Sequence, residues 1–236
     1  MEPHEFWQRV EAPSGVDPPP SHLDGYLARF DDGRGILLPI RPLPDGETAL
    51  ASLILNQASF EALDAIADDL ASKLRAFGPD IVVGLPTLGL TLASAVAQKL
   101  GHSRYAPLGT SRKFWYRDDL SVPFSSITTP DQPKRLYADP RLLPLLVGRR
   151  VALVDDVISS GASMAAAIGL MAACAIEPVV LGAAMLQSDR WRRRLDRLGI
   201  AWSSRTVGVL ETPLLARAAG NRWAAATDES ASSDAS

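Results

Sequence analysis

The sequence predicts an α/β fold: a parallel β-sheet flanked by helices, carrying a small N-terminal β hood. Three observations predict it. Short apolar runs alternate with helix-length stretches from about residue 57 onward, the pattern of a sheet covered on both faces. One of those runs, Val151 to Val154, ends in two adjacent acids and enters an apolar stretch through a Ser- and Gly-containing turn. Near the N-terminus, Tyr26 to Phe30 and Gly35 to Ile40 flank Asp31, Asp32 and Gly33, which reads as a hairpin.

Residues 1–22 include Pro18, Pro19 and Pro20 and little apolar periodicity, so they are expected to form a mobile or loosely docked arm. Residues 23–56 form the hood hairpin region. The core domain spans 57–223. It opens with a helix capped by Asn56 and running to about Phe77, with Phe60, Leu63, Ile66, Ala67, Leu70 and Leu74 on one face. Gly78 and Pro79 stop it. Asp80 to Gly84 is a short apolar strand, Leu88 to Leu100 a helix closed by Gly101, and Arg104 to Leu108 a further strand. Residues 117–140 carry Pro123, Pro130, Pro133 and Pro140 without periodicity, which predicts a long irregular loop suited to a lid. Val151 to Val154 is a strand, Ala162 to Ala175 its helix, and Val179 to Leu186 the next strand. Asp189 to Leu198 reads as a basic helix with Trp191 turned inward, and Ser204 to Leu210 as the last strand. The small, polar, acidic tail 224–236 is expected to be disordered.

Composition narrows the function classes. A net charge of −3 gives no basic field to attract nucleic acid. The single cysteine, Cys174, cannot form an internal disulfide and reads as a small core residue in a reducing compartment. The first residues lack the basic and apolar regions of a signal peptide, and the apolar run Ala162 to Ile176 is short for a membrane span. A cytoplasmic protein without membrane or nucleic-acid partners is expected. His4, His22 and His102 are scattered and give no structural zinc spacing.

Residues 151–163 carry the most chemistry. A strand end that meets a helix N-terminus is an anion site, because the first helical N–H groups are unpaired. Gly161 permits close backbone approach to a phosphate, and Ser160 and Ser163 add hydroxyl donors. Asp155 and Asp156 beside such a cradle suit vicinal hydroxyls. Together these features describe a ribose 5-phosphate. The segment resembles the signature of the type I phosphoribosyltransferase family, whose substrate is phosphoribosyl diphosphate (PRPP).

That resemblance implies roles by position. Asp155 and Asp156 would hold the ribose hydroxyls, and Ser159, Ser160, Gly161, Ala162 and Ser163 the 5-phosphate. Gly84 to Gly89 resembles the family's diphosphate loop, in which Thr87, Leu88 and Gly89 would face the diphosphate and a strained, sometimes cis, peptide is often found. Leu88 stands where some members carry arginine. Thr110 to Tyr116 resembles the opening of a mobile catalytic loop, making Arg112 and Lys113 candidates for neutralising diphosphate charge. The family implies Mg2+, held indirectly near Asp155 and Asp156, a nucleobase acceptor and a homodimer. Ser159 replaces the acid common in 6-oxopurine enzymes, and the Arg112–Lys113 pair leans towards an adenine-like purine enzyme. The base would be read by the hood, with Trp191 or Leu210 to Leu214 as contributors. The alternative is a PRPP-sensing regulator with little or no catalysis.

Overall fold

The computed structural model describes residues 2–13, 21–126 and 129–226. Its centre is a five-stranded parallel sheet built from β4 (Ile81–Gly84), β5 (Ala106–Pro107), β8 (Val151–Ile158), β9 (Val180–Gln187) and β10 (Thr206–Thr212), in the order β10-β9-β8-β4-β5. Val83 lies beside Leu153, and Val154 beside Gly182. All eight residues of β9 are buried, which is why the strand reads as one continuous apolar run rather than an alternation.

The two faces of this sheet carry two cores. Val82, Val154, Val180 and Ala184 pack towards α1 (Phe60–Arg75) and α2 (Gly89–Lys99). Val83, Leu153, Leu181 and Ala183 pack towards α4 (Ala162–Ala173) and α5 (Arg190–Asp196). Alternate residues facing opposite ways is the pleat at work. A short α3 (Leu143–Leu146) precedes β8. Cys174 is a free thiol buried in the second core.

The first helix begins later than its pattern predicts. Ser59, rather than Asn56, caps α1, its side chain accepting a hydrogen bond from Ala62 N at 3.1 Å. Asn56 sits in a 3-10 turn and accepts instead from Thr91 Oγ1. Phe60, placed on the apolar face by its spacing, is 89% exposed because it occupies the first helical position.

The hood is larger than a hairpin. β1 (Gly25–Arg29) and β2 (Gly35–Pro42) pair as expected. They are joined by β3 (Thr48–Ala51) and by two strands from the other end of the chain, β11 (Leu214–Ala218) and β12 (Arg222–Ala225), in the order β1-β2-β3-β11-β12. β10 is therefore not the last strand, and the expected tail is ordered at its start: β12 includes Ala224 and Ala225, while residues 227–236 lie outside the described residues. One residue, Pro213, separates β10 from β11, so the hood is tied directly to the core sheet.

The N-terminal arm is docked where it carries aromatics. Phe6 and Trp7 are buried in the first core, and Trp7 Nε1 donates to Ser52 O at 2.9 Å. Two aromatic side chains bury enough apolar surface to fix an otherwise polar segment. Residues 14–20, with the three prolines, lie outside the described residues.

The expected irregular loop at 117–140 is mostly a β-ribbon. β6 (Ser121–Ser126) pairs antiparallel with β7 (Thr129–Tyr137), Pro123 lying opposite Arg135. Both strands of a two-stranded ribbon have a free edge, so proline's missing donor is tolerated there. Phe124 and Leu136 bury this ribbon against the α4 side of the core.

Candidate functional site

The C-terminal ends of the central strands, where ligands bind in open α/β sheets, open into a cleft of about 630 Å³ beneath the hood. Asp155, Asp156, Ser159, Ser160, Gly161, Ala162 and Ser163 line it from β8 and the turn into α4; Pro86, Thr87 and Leu88 line it from the turn between β4 and α2. The hood contributes Arg41, Leu43 and the run Leu50 to Ile54, and the floor includes Met185 and Gln187. Segments from Arg41 to Gln187 thus meet around one cavity, because parallel strands deliver all their ends to one edge.

The acid pair belongs to the strand itself. β8 continues to Ile158, four residues beyond the predicted end, since Asp155 and Val157 remain in register with Ala183 and Met185. Asp155 is 6% exposed. Its Oδ1 accepts from Asp156 N at 2.9 Å. Burial pushes the Asp155 carboxyl well above the usual carboxylate range, and the neighbouring Asp156 charge adds to this. Burial raises Asp156 as well, against hydrogen bonds from Asp155 and the backbone that lower it. Such a pair favours hydroxyl donors or a cation that would restore the charged form.

The turn after β8 is shaped by Gly161, which caps α4 with φ +76°. A Cβ there would lie 3.2 Å from Trp191 Cα, so glycine is needed for both the left-handed conformation and the close approach. Trp191 backs the turn from the α4 side, buried, and is not part of the hood. The Oγ of Ser159 is buried without a partner among the described residues, and Ser160 Oγ accepts from Ala162 N at 3.3 Å. The N-terminal end of α4, whose N-cap Gly161 offers no capping side chain, and the buried Ser159 hydroxyl together suit an anion.

The turn before α2 contains a cis Pro86–Thr87 peptide, the conformation that the resemblance allowed for. Leu88 is half-buried in the cleft. Gly89 is not a lining residue. It packs behind the acid pair, where an added Cβ would lie 2.6 Å from Asp155 Oδ1, so its function is to let α2 approach β8.

The predicted basic pair lies elsewhere. Arg112 and Lys113 are exposed and absent from the cleft wall, and Arg112 is ion-paired to Asp118 at 3.0 Å. Thr110 and, from β7, Lys134 line the cleft instead. Arg135, Lys134's neighbour, donates to Ser121 O and Oγ. The hood residues and Gln187 escaped sequence reading. The available signal for Gln187 was a lone polar residue ending an apolar strand at the ligand edge. Among the described residues no group of three or more His, Cys, Asp or Glu is placed to hold a metal ion, and no helix is long and apolar enough to cross a membrane.

Comparison with known proteins points to one family. A family model described as "Phosphoribosyl transferase domain" matches residues 52–207. The adenine phosphoribosyltransferase of Corynebacterium efficiens is 36% identical over 121 residues, 50% of this chain and 58% of that protein. The bifunctional protein PyrR of Bacillus subtilis is 31% identical over 119 residues, 49% of this chain and 62% of that protein. The matches therefore span little more than half the length of these relatives. Among solved structures, the Giardia lamblia enzyme APRTase complexed with 9-deazaadenine superposes with a TM-score of 0.59 at 21% identity, covering 74% of this chain and 93% of that one. The adenine phosphoribosyltransferase of Thermoanaerobacter pseudethanolicus gives 0.56 at 16%, covering 74% and 95%. At such identities these two likenesses establish the type I phosphoribosyltransferase fold. With the family match spanning well over half of its residues, the chain belongs to the phosphoribosyltransferase family.

Proposed function

We propose that the protein transfers the 5-phosphoribosyl group of PRPP to a nitrogenous base, a purine by preference, and releases pyrophosphate. The observation that carries this reading is the meeting of the Asp155–Asp156 pair, the Ser159 to Ser163 turn and the Pro86 to Leu88 turn in one cleft under the hood. The Ser159 to Ser163 turn binds the 5-phosphate through α4 N–H groups and hydroxyls. Asp155 and Asp156 accept hydrogen bonds from the ribose hydroxyls, and their charge stabilises the positive character that develops at C1. A base nitrogen donates its lone pair to C1. The C1–O bond breaks with its electron pair leaving on the diphosphate, and the proton that the base gives up passes to the released pyrophosphate. Lys134 supplies charge to the departing diphosphate from β7. Closure of the cleft excludes water from the cationic centre. The purine preference draws on the adenine-specific names of the similar proteins.

Two adjacent carboxylates, with no third acidic or imidazole partner among the described residues, would suit a Mg2+ ion that takes its other oxygen ligands from substrate and water. Asp155 and Asp156 would hold it, and it would screen diphosphate charge. The exposed edge-to-face pair Phe114 and Trp115, 4.8 Å between ring centroids, supports a second copy of the chain as partner. The buried free Cys174 supports a reducing, cytoplasmic setting.

Leu88 in the diphosphate turn and the engagement of Arg112 with Asp118 favour a second reading, a PRPP-sensing regulator. One assay decides: pyrophosphate release from PRPP and Mg2+ across a panel of bases. Base-dependent release is expected. PRPP binding with no release from any base would establish the sensor instead.

A further inference from the structure

We infer that Gln187 selects the acceptor base, presenting an amide oxygen that favours a base with an amino group over one with a carbonyl at the same edge. The inference rests on the phosphoribosyl-transfer reading and specifies its substrate.

Gln187 ends β9, is 4% exposed and lines the cleft. Its place in the sheet is on the hood side of the sugar acids. Asp155 is in register with Ala183 and Val157 with Met185, so Gln187 stands two further residues along, where β9 meets the hood. There its Nε2 donates to Ala51 O at 2.7 Å. A main-chain carbonyl only accepts, so this bond fixes which end of the amide is nitrogen. It also locks the rotamer between core and hood. The oxygen Oε1 is the end that remains to meet a ligand.

The surroundings make that oxygen decisive. Leu50, Leu53, Ile54 and Met185 give the neighbouring wall an apolar character, and Arg41 is exposed at the rim. Thr212, the register neighbour of Gln187 on β10, is also 4% exposed, and its Oγ1 has no partner among the described residues. Two buried polar side chains thus stand side by side at the strand ends, one with an acceptor to spare and one unsatisfied. A base offering an N–H satisfies the amide oxygen. A base offering a carbonyl sets two acceptors against each other in a desolvated place, the arrangement that gives the strongest discrimination between isosteric ligands.

The test is steady-state turnover with PRPP and Mg2+, using adenine and hypoxanthine as matched probes. Wild-type protein is expected to prefer adenine by at least about tenfold in kcat/KM. Gln187→Met keeps the volume and removes the acceptor. It is expected to raise KM for adenine about tenfold, to leave KM for PRPP within about twofold, and to shrink the preference. Thermal unfolding of the variant checks that it folds, and the wild-type preference is read without any variant. Equal use of the two bases by wild type overturns the inference. So does a variant in which both KM values rise together, since Gln187 then only positions the hood. If no base turns over, the phosphoribosyl-transfer reading itself falls and takes this inference with it, an outcome distinguished by there being no preference to measure.

Discussion

Gly89 and Asp155 are packed so closely that a Cβ on Gly89 would lie 2.6 Å from Asp155 Oδ1 and 2.8 Å from Asp155 Cα. The start of α2 therefore rests directly on the acid pair, and the two turns that line the cleft are one packed unit. Gly89→Ala cannot be absorbed by a side-chain rotation, because one clashing atom is backbone. We expect it to lower stability by about 1–3 kcal/mol and to weaken PRPP binding by displacing Asp155. Thermal unfolding and calorimetric titration with PRPP check this; unchanged affinity would separate the glycine from the site.

Asp155 and Asp156 should show opposite effects on stability and binding. Burial disfavours both charges in the folded chain. Replacing either by the neutral isostere removes that cost, so Asp155→Asn and Asp156→Asn are expected to unfold at or above the wild-type temperature. Each also loses a charged acceptor for a ribose hydroxyl, about 1.5–3 kcal/mol, or roughly 10–150-fold in PRPP affinity. Unchanged affinity in both variants would show that the cleft binds something other than PRPP.

The core was readable from sequence because its signals are local. Val151 to Val154 shows its burial in four residues, and Gly161 marks the turn it shapes. What was not readable depends on partners far along the chain. β11 completes the hood by pairing with β3, Leu214 opposite Leu50, and Gln187 reaches Ala51 across 136 positions. The ribbon at 121–137 was hidden by prolines that its free edges tolerate. Asn56 lost the cap of α1 because a better-placed serine follows it by three residues and Thr91 engages its side chain.

Lys134, rather than Arg112, is expected to matter for the diphosphate. Lys134 lines the cleft, whereas Arg112 is outside it and paired with Asp118. Lys134→Ala should lower PRPP affinity about tenfold or more, and Arg112→Ala should stay within about twofold. Titration of both variants with PRPP at fixed ionic strength compares them. The reverse ranking would mean that the 110–116 segment moves into the cleft when ligand binds.

Asp139 couples stability to acid pH. Its hydrogen bonds from the Arg141 side chain come first among the causes that hold its carboxyl down at about 2; the Arg141 N–H and Trp115 Nε1 also contribute. A folded-state value below the unfolded one stabilises at pH above the ordinary carboxylate range and loses that contribution as pH falls through about 2. The Arg141 side chain is 65% exposed, so solvent screening limits the effect to about 1 kcal/mol or less. The gap in unfolding temperature between wild type and Asp139→Asn should be steady from pH 7 to 5 and close between pH 4 and 2. A gap independent of pH would assign Asp139 a packing role.

Trp7 links the N-terminal segment to the cleft. Its ring is 2% exposed in the first core, so Trp7→Ala should cost about 3–5 kcal/mol. Trp7→Phe is the sharper variant. It keeps most of the apolar contact and removes the Nε1 bond to Ser52 O, worth about 1 kcal/mol. Ser52 follows Ala51, the residue that Gln187 holds from the other side, and both line the cleft. One hydrogen bond from the arm and one from the core sheet therefore grip successive residues of the hood wall. Loss of the Trp7 bond should loosen that wall and raise KM for the base by a few-fold, while KM for PRPP stays unchanged, since Trp7 itself is not among the residues that line the cleft. A Trp7→Phe variant with reduced stability and an unaltered base KM would show that the arm supports the fold and leaves the hood wall unaffected.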